Sequence, residues 1–73
     1  MRNKIRLDTM KDINDFVAAT TKLPGKIVVT DNEDHRVNAK SLLGMVYALE
    51  FQEMYVESEE NIYFAIRQFI VEE

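Results

Sequence analysis

The side chains best suited to chemistry lie in a short acidic stretch around the one histidine of the chain. His35 follows Asp31, Glu33 and Asp34, and Arg36 is the only cation beside it. A histidine that accepts a phosphoryl group needs cations or a helix N-terminus around it. A calcium loop needs regularly spaced oxygen ligands and a glycine, which this stretch lacks. We therefore predict an exposed polar turn, with no metal site and no cofactor.

A second candidate for chemistry is Ser41, which precedes the apolar segment LLGMVYAL. A serine at this position caps a helix by accepting a hydrogen bond from a free backbone N–H. A phosphate on its hydroxyl would face the positive end of the helix dipole, next to Lys40. Ser41 is therefore predicted to be an N-cap whose position also permits phosphorylation.

Length and composition indicate one small folded domain. The chain has 73 residues, which fit a single domain over residues 1–73, and 47% of them are hydrophobic. Cysteine is absent, which excludes disulfides and thiolate metal sites and is compatible with a cytoplasmic location. A net charge of -4 disfavours nucleic-acid binding. The apolar runs are too short for a membrane span or a signal peptide, so we expect no membrane partner.

The hydrophobic pattern predicts seven elements in the order βαββαβα. Alternating or β-branched segments predict strands over residues 1–7, 26–30, 36–39 and 52–57. Capping residues predict helices that start at Thr9, Ser41 and Ser58. We expect an α+β fold in which three helices cover one face of a four-stranded antiparallel sheet, while the other face meets water.

The predicted helices differ in their apolar faces. The first and last have one inward stripe each: Met10, Ile13, Phe16 and Val17, and Ile62, Ala65, Ile66, Phe69 and Ile70. The middle helix has two: Leu42, Met45, Val46 and Leu49, and Leu43 with Tyr47. An apolar patch left exposed on a small protein usually marks a partner site, self-association included. The alternative is that Leu43 and Tyr47 are buried under a loop.

The segment VNAKSLLGM, residues 37–45, resembles a signature of the histidine-containing phosphocarrier protein, HPr, of the bacterial sugar phosphotransferase system. In that family a strand ends in a Lys-Ser pair, and a short apolar helix with an early glycine follows. The element order βαββαβα is also that of HPr. The resemblance implies an HPr-like open-faced β-sandwich over nearly the whole chain.

The chain departs from that family at the phosphocarrier site. HPr carries Gly-x-His-x-Arg-Pro at the start of its first helix, and this histidine accepts a phosphoryl group from enzyme I. The matching positions are Thr9 for the histidine, Lys11 for the arginine and Asp12 for the proline. Threonine is not a comparable reversible acceptor, Asp12 would repel phosphate, and Lys11 lacks the guanidinium fork. We therefore predict that the chain is neither an enzyme nor a histidine phosphocarrier.

The resemblance also implies roles for the middle helix. In HPr of many Gram-positive bacteria, a kinase phosphorylates the serine that matches Ser41 and makes the protein a transcriptional co-regulator. The outward side chains after this serine dock partner proteins, which makes Lys40, Leu42, Leu43 and Val46 the candidate docking residues. We expect a regulatory or docking domain of the phosphotransferase or carbon-regulation network. The alternatives are a phosphocarrier with an atypical acceptor, and a structural interaction module, such as a homodimer, unrelated to sugar uptake.

Overall fold

The computed structural model describes residues 1–72, which form four strands and three α-helices in the predicted order. The strands are β1 (Arg2–Ile5), β2 (Ile27–Thr30), β3 (Arg36–Asn38) and β4 (Met54–Ser58). The helices are α1 (Met10–Thr21), α2 (Leu42–Ala48) and α3 (Tyr63–Ile66), and a 3-10 turn over Arg67–Phe69 follows α3. Within residues 1–72, every helix is too short or too polar to cross a membrane.

The strands form one sheet in the order β1-β4-β2-β3, and every neighbouring pair is antiparallel. Strand β4 therefore holds the two halves of the chain together, since it pairs with β1 on one side and with β2 on the other. Side chains alternate across this sheet as predicted, so that Met54 and Val56 lie in the core and Tyr55 and Glu57 do not. The expected α+β architecture with a four-stranded antiparallel sheet is confirmed.

All three helices pack on the same face of the sheet. Their buried side chains form one cluster with inward residues of β1, β2 and β4. Phe16 of α1 meets Phe69 edge to face, with ring centroids 5.4 Å apart. Residues with at most 1% exposure in this cluster include Ile13, Phe16, Met45, Ile66, Val29 and Val56. A core of this kind supplies most of the stability of a chain this small.

The outer face of the sheet is polar and is crossed by ion pairs. Glu57 lies between Arg2 at 3.0 Å and Arg36 at 3.1 Å. The hydrogen bond from Arg2, with the contribution of Arg36, outweighs burial and lowers the pKa of Glu57. The Arg2 guanidinium also lies 4.1 Å from the ring centroid of Tyr55. The arginines of this face are exposed, as predicted, but Val28 and Thr30 of β2, which lie on the same face, are buried.

Helix α1 begins at the predicted position. Thr9 and Asp12 form a complete capping box at its start, and the helix ends at Thr21, before Pro24. Thr20 is fully buried, and its hydroxyl donates to the carbonyl of Ala39 at 2.9 Å. This hydrogen bond ties α1 to the chain just after β3. Met10, predicted to point inward, is 47% exposed because it lies in the first turn, at the edge of the packed face.

The last helix begins later than predicted. Ser58 is the final residue of β4, and Glu59 and Glu60 form a bend, so the expected helix start at Ser58 is wrong. Ser58 remains in the sheet because it pairs with Ile27 of β2 and its N–H donates to the carbonyl of Met1. Its hydroxyl donates to the carbonyl of Glu60. The residue before α3, Ile62, offers no side-chain cap.

The last helix also ends earlier than its apolar spacing suggests. Ile70 is extended, with ψ of 132°, because it bridges to Ile5 of β1. This pairing is incompatible with a helical conformation at Ile70. Ala65, which was predicted to point inward, is exposed. The residues that do point inward are Ile62, Ile66 and Phe69.

The strand ends differ from the predicted limits by one or two residues. Leu7 and Ala39 lie outside β1 and β3, yet both are buried in the core, at 3% and 0% exposure. Strand β4 starts at Met54 instead of Gln52, because the chain between α2 and β4 forms turns up to Phe51. Burial was therefore predicted better than strand pairing at these positions.

Candidate functional site on the second helix

Helix α2 is a two-turn element with one buried and one exposed side. Ser41 caps it, and its Oγ accepts a hydrogen bond from the N–H of Gly44 at 3.1 Å, as predicted. Met45 and Ala48 point inward and are fully buried. These two side chains are the part of α2 that the core of the domain uses.

The opposite side of α2 is apolar and open to solvent. Its members are Leu42, Leu43, Val46 and Tyr47, which we call the α2 face. Leu43 is 82% exposed, and Tyr47, Leu42 and Val46 are 50%, 46% and 38% exposed. The spacing i, i+1, i+4, i+5 places all four on one side of a helix. The α2 face therefore contains three of the four candidate docking residues.

Two expectations about this helix are corrected. Leu42 and Val46 do not share a buried stripe with Met45, because the helix turns them toward solvent. Leu43 and Tyr47 are not buried under a loop, because both are among the most exposed large apolar side chains of the described chain. Tyr47 was not assigned to the docking surface from the sequence, although its spacing from Leu43 places it there.

Lys40, the fourth candidate, has a different position. Its ammonium donates to the carbonyl of Leu23 at 2.5 Å, in the loop that follows α1. The side chain thus links the end of α1 to the start of α2. In this conformation the ammonium group of Lys40 binds the loop after α1 and does not contact the hydroxyl of Ser41.

The start of α1 holds the residues at the expected phosphocarrier position. The carboxylate of Asp12 accepts hydrogen bonds from the N–H of Asp8 at 2.9 Å and of Thr9 at 3.2 Å. The hydrogen bond from Asp8, supported by those from Thr9, outweighs burial and holds the pKa of Asp12 below its ordinary value. An ionised carboxylate of the chain itself thus occupies N–H groups that an incoming anion would need.

The cations near the start of α1 are paired with carboxylates. Lys11 lies 2.8 Å from Asp15, and this hydrogen bond raises the pKa of Lys11. Arg6 lies 3.1 Å from Asp8. A phosphate at the start of α1 would therefore lie near the carboxylates of Asp8, Asp12 and Asp15, which repel it.

The turn around His35 is exposed, as predicted, and Asp31 holds it together with hydrogen bonds. Oδ1 of Asp31 accepts from the N–H groups of Glu33 and His35 at 2.8 and 3.0 Å, and Oδ2 lies 2.8 Å from Nδ1 of His35. Burial opposes ionisation of Asp31, but these hydrogen bonds outweigh it and lower its pKa. Asp34 supports the turn with a positive φ of 68°.

The same turn faces the end of α2 across a cleft that the sequence did not reveal. The ring of His35 lies 5.9 Å from that of Phe51, and the ring of Tyr47 lies 5.7 Å from Phe51. The cleft has a volume of about 690 Å³. Its remaining lining residues are Asp31, Asn32, Glu33, Glu50, Gln52 and Glu53. We call this the acidic cleft, and it shares Tyr47 with the α2 face.

Asp31, Glu33 and His35 are the residues of the described chain best placed to hold a metal ion, since ligand atoms of all three lie within 4.8 Å of one another. Both oxygens of Asp31 already accept the hydrogen bonds that shape the turn. His35 lines the acidic cleft. A second cleft lies at the start of α1, beside Lys11 and Asp12, and shares no residue with the acidic cleft.

Comparison of the chain with protein-family models, with curated proteins and with solved structures finds no match.

Proposed function

We propose that this chain is a non-catalytic docking domain of HPr-like architecture, which binds other proteins through the α2 face. The exposure of Leu43, Tyr47, Leu42 and Val46 on one short helix is the observation that carries the proposal. Exposed apolar patches on small domains mark interaction sites, because water solvates them poorly. The likeness of residues 37–45 to the second HPr signature supports a partner in the phosphotransferase or carbon-regulation network.

The start of α1 supports a domain that carries no phosphate on histidine. Thr9 stands where HPr has its histidine, and its Oγ1 accepts a hydrogen bond from the N–H of Asp12 at 3.1 Å. The carboxylate of Asp12 occupies further N–H groups there. These interactions argue equally against an atypical acceptor at the same place.

Phosphorylation of Ser41 is the regulatory part of the proposal. Its hydroxyl is half-buried at the helix start and already accepts from the N–H of Gly44. A phosphate there would keep an acceptor at the helix start and would add negative charge beside Leu42. We propose that this charge changes which partners dock on the α2 face.

Binding of purified enzyme I to the chain tests the docking function. Titration calorimetry is expected to show binding to the unmodified chain and a loss of affinity in Leu43→Gln. Phe64→Gln is the matched control, because Phe64 is 86% exposed, equally apolar and outside the α2 face. Equal affinity of both variants would show that enzyme I does not use the α2 face.

Two phosphorylation assays test the remaining parts. Incubation with phosphoenolpyruvate, enzyme I and Mg²⁺ is expected to give no acid-labile mass gain. A stoichiometric gain of one phosphate would refute the proposal that the chain is not a phosphocarrier. Incubation with HPr kinase and ATP is expected to give an acid-stable phosphate that is absent from Ser41→Ala. No labelling would remove the regulatory part and leave the docking function to be decided by calorimetry.

A homodimer is the second candidate, since the apolar α2 faces of two copies could pack against each other. Sedimentation equilibrium decides between the two. A dimer that Leu43→Gln converts to a monomer would assign the α2 face to self-association.

A further inference from the structure

We infer that the partner bound to the α2 face places an arginine side chain in the adjoining acidic cleft. The inference rests on the docking function proposed above and adds the chemistry of the partner to it. It follows from three features of the cleft: its charge, its aromatic rings and its continuity with the α2 face.

The acidic cleft has a strong excess of negative charge. Asp31, Glu33, Glu50 and Glu53 line it, and none of its lining residues is a lysine or an arginine. Within residues 1–72, the carboxylates of Glu33 and Glu50 form neither a hydrogen bond nor an ion pair. A cationic group on a partner would therefore complement the charge of this cleft.

The other two carboxylates are already engaged. Asp31 holds the turn, with Oδ2 lying 2.8 Å from Nδ1 of His35. Glu53 accepts hydrogen bonds from Asn32 and Tyr55, and its Oε1 lies 3.6 Å from Nζ of Lys4. The carboxylates of the cleft without a partner in residues 1–72 are thus those of Glu33, in the turn, and of Glu50, just after α2.

The aromatic rings of the cleft favour a guanidinium over other cations. Tyr47 is 50% exposed and lines the cleft beside Phe51, with the two ring centroids 5.7 Å apart. A guanidinium stacks on an aromatic face and binds a carboxylate with its planar fork, whereas an ammonium is a strongly hydrated point charge. The chain uses this combination itself, where Arg2 stacks on Tyr55 and pairs with Glu57.

The cleft continues the α2 face and is not a separate surface. Tyr47 belongs to both, because its exposed ring ends the α2 face and lines the cleft. A partner segment that packs apolar side chains on Leu43 and Val46 is therefore close to Glu50, in the turn that follows this helix. The structure assigns to the partner an apolar contact followed by an arginine.

A divalent metal ion is the competing occupant of this cleft. It would bind Asp31, Glu33 and His35, whose ligand atoms lie within 4.8 Å of one another. A metal ion bound through Oδ2 of Asp31 would compete with the contact of this oxygen to Nδ1 of His35 at 2.8 Å. A guanidinium avoids this competition, because it uses Glu33, Glu50 and the rings.

A nuclear magnetic resonance titration tests the cleft without any partner. Amide shifts of the intact chain are followed while N-acetyl-arginine amide, its neutral citrulline analogue and Zn²⁺ are added in separate experiments. Saturable shifts at Tyr47, Phe51 and Glu50 are expected with the arginine compound and not with citrulline. Equal shifts with both compounds, no shifts with either, or shifts with Zn²⁺ alone would overturn the inference.

Selection of a random displayed peptide library on the intact chain tests the link to docking. Peptides that require Leu43 are expected to carry an arginine, and replacing it with citrulline is expected to weaken binding about tenfold. The double variant Glu33→Gln, Glu50→Gln is expected to weaken binding to the same extent. The control is Glu59→Gln with Glu60→Gln, two exposed carboxylates outside the cleft, which are expected to leave binding unchanged.

The outcomes separate this inference from the proposed function. Peptides that need Leu43 but no arginine would overturn the inference and leave the docking function intact. Peptides that bind without needing Leu43, or the absence of any bound peptide, would refute both.

Discussion

Replacing Leu43 with glutamine is expected to change the free energy of unfolding by no more than about 0.5 kcal/mol. Leu43 is 82% exposed, so less than a fifth of its surface is withdrawn from water. Complete burial of a leucine contributes about 1.5–3 kcal/mol, and this fraction of it is about 0.3–0.5 kcal/mol. Leucine and glutamine have similar helix propensities, so the backbone of α2 adds little to the difference.

Met45→Ala, on the same helix, provides the matched comparison. Met45 is fully buried in the core. Truncation of a buried methionine costs about 2–5 kcal/mol, because it removes packed apolar surface and leaves a cavity. Two neighbouring positions of one helix are thus expected to differ several-fold in their effect on stability.

Urea denaturation followed by far-UV circular dichroism measures both effects. The reasoning is refuted if Leu43→Gln shifts the midpoint as far as Met45→Ala does, because Leu43 would then be part of a packed interior. The measurement is repeated over a range of protein concentrations. A cost of Leu43→Gln that grows with concentration would indicate a dimer that buries the α2 face, since mass action links dimer stability to concentration.

Three further predictions concern interactions that stabilise the fold outside the α2 face. Thr9→Ala is expected to lower stability by about 1 kcal/mol, since it removes the hydroxyl that caps α1, and an unchanged urea midpoint would contradict the observed capping box. Thr20→Val is expected to cost about 1–3 kcal/mol, because the buried carbonyl of Ala39 loses its partner, whereas Thr21→Val, at an exposed position, is expected to cost less. Two arginines lower the pKa of Glu57 from its ordinary value of 4.5, so its stabilisation is complete above pH 4.5 and is lost as the pH falls through the lower folded value. Glu57→Gln is therefore expected to make stability less dependent on pH in this acid range, and identical acid unfolding curves would contradict the ion pairs.

The parts of the fold with strong local signals could be predicted from the sequence. The capping pattern at Thr9 and the Pro24-Gly25 stop define α1, because both act through the backbone of neighbouring residues. The alternation of Met54 and Val56 with Tyr55 and Glu57 defines the two faces of β4 for the same reason.

The errors arise where a distant partner competes with a local preference. Ser58 has the residue type of a helix cap, but it pairs with Ile27 in the sheet. Ile70 has the spacing of a helical core residue, but it bridges to Ile5. Neither partner is visible in a local window, since the contacts join residues far apart in the chain.

The acidic cleft could not be predicted for the same reason. Its rings come from the turn at His35, from Tyr47 in α2 and from Phe51 after it, and only the packing of the two segments brings them together. The α2 face, in contrast, was visible as a helix without a polar side. A helix that is apolar all round does not show which of its faces packs on the core. The structure shows that this face is the one with Met45 and Ala48.

The exposed side of α2 is not explained by the stability of the domain. Met45 and Ala48 already supply the contacts of this helix with the core, and Leu43 contributes almost no burial. Polar residues at the exposed positions would preserve the helix and reduce the risk of aggregation. Leu43, at 82% exposure, therefore adds little to the stability of the fold, as expected for a surface that another molecule covers. The carboxylates of Glu33 and Glu50 beside it would then restrict which molecule that is, because a partner without a positive charge leaves them unpaired when water is excluded.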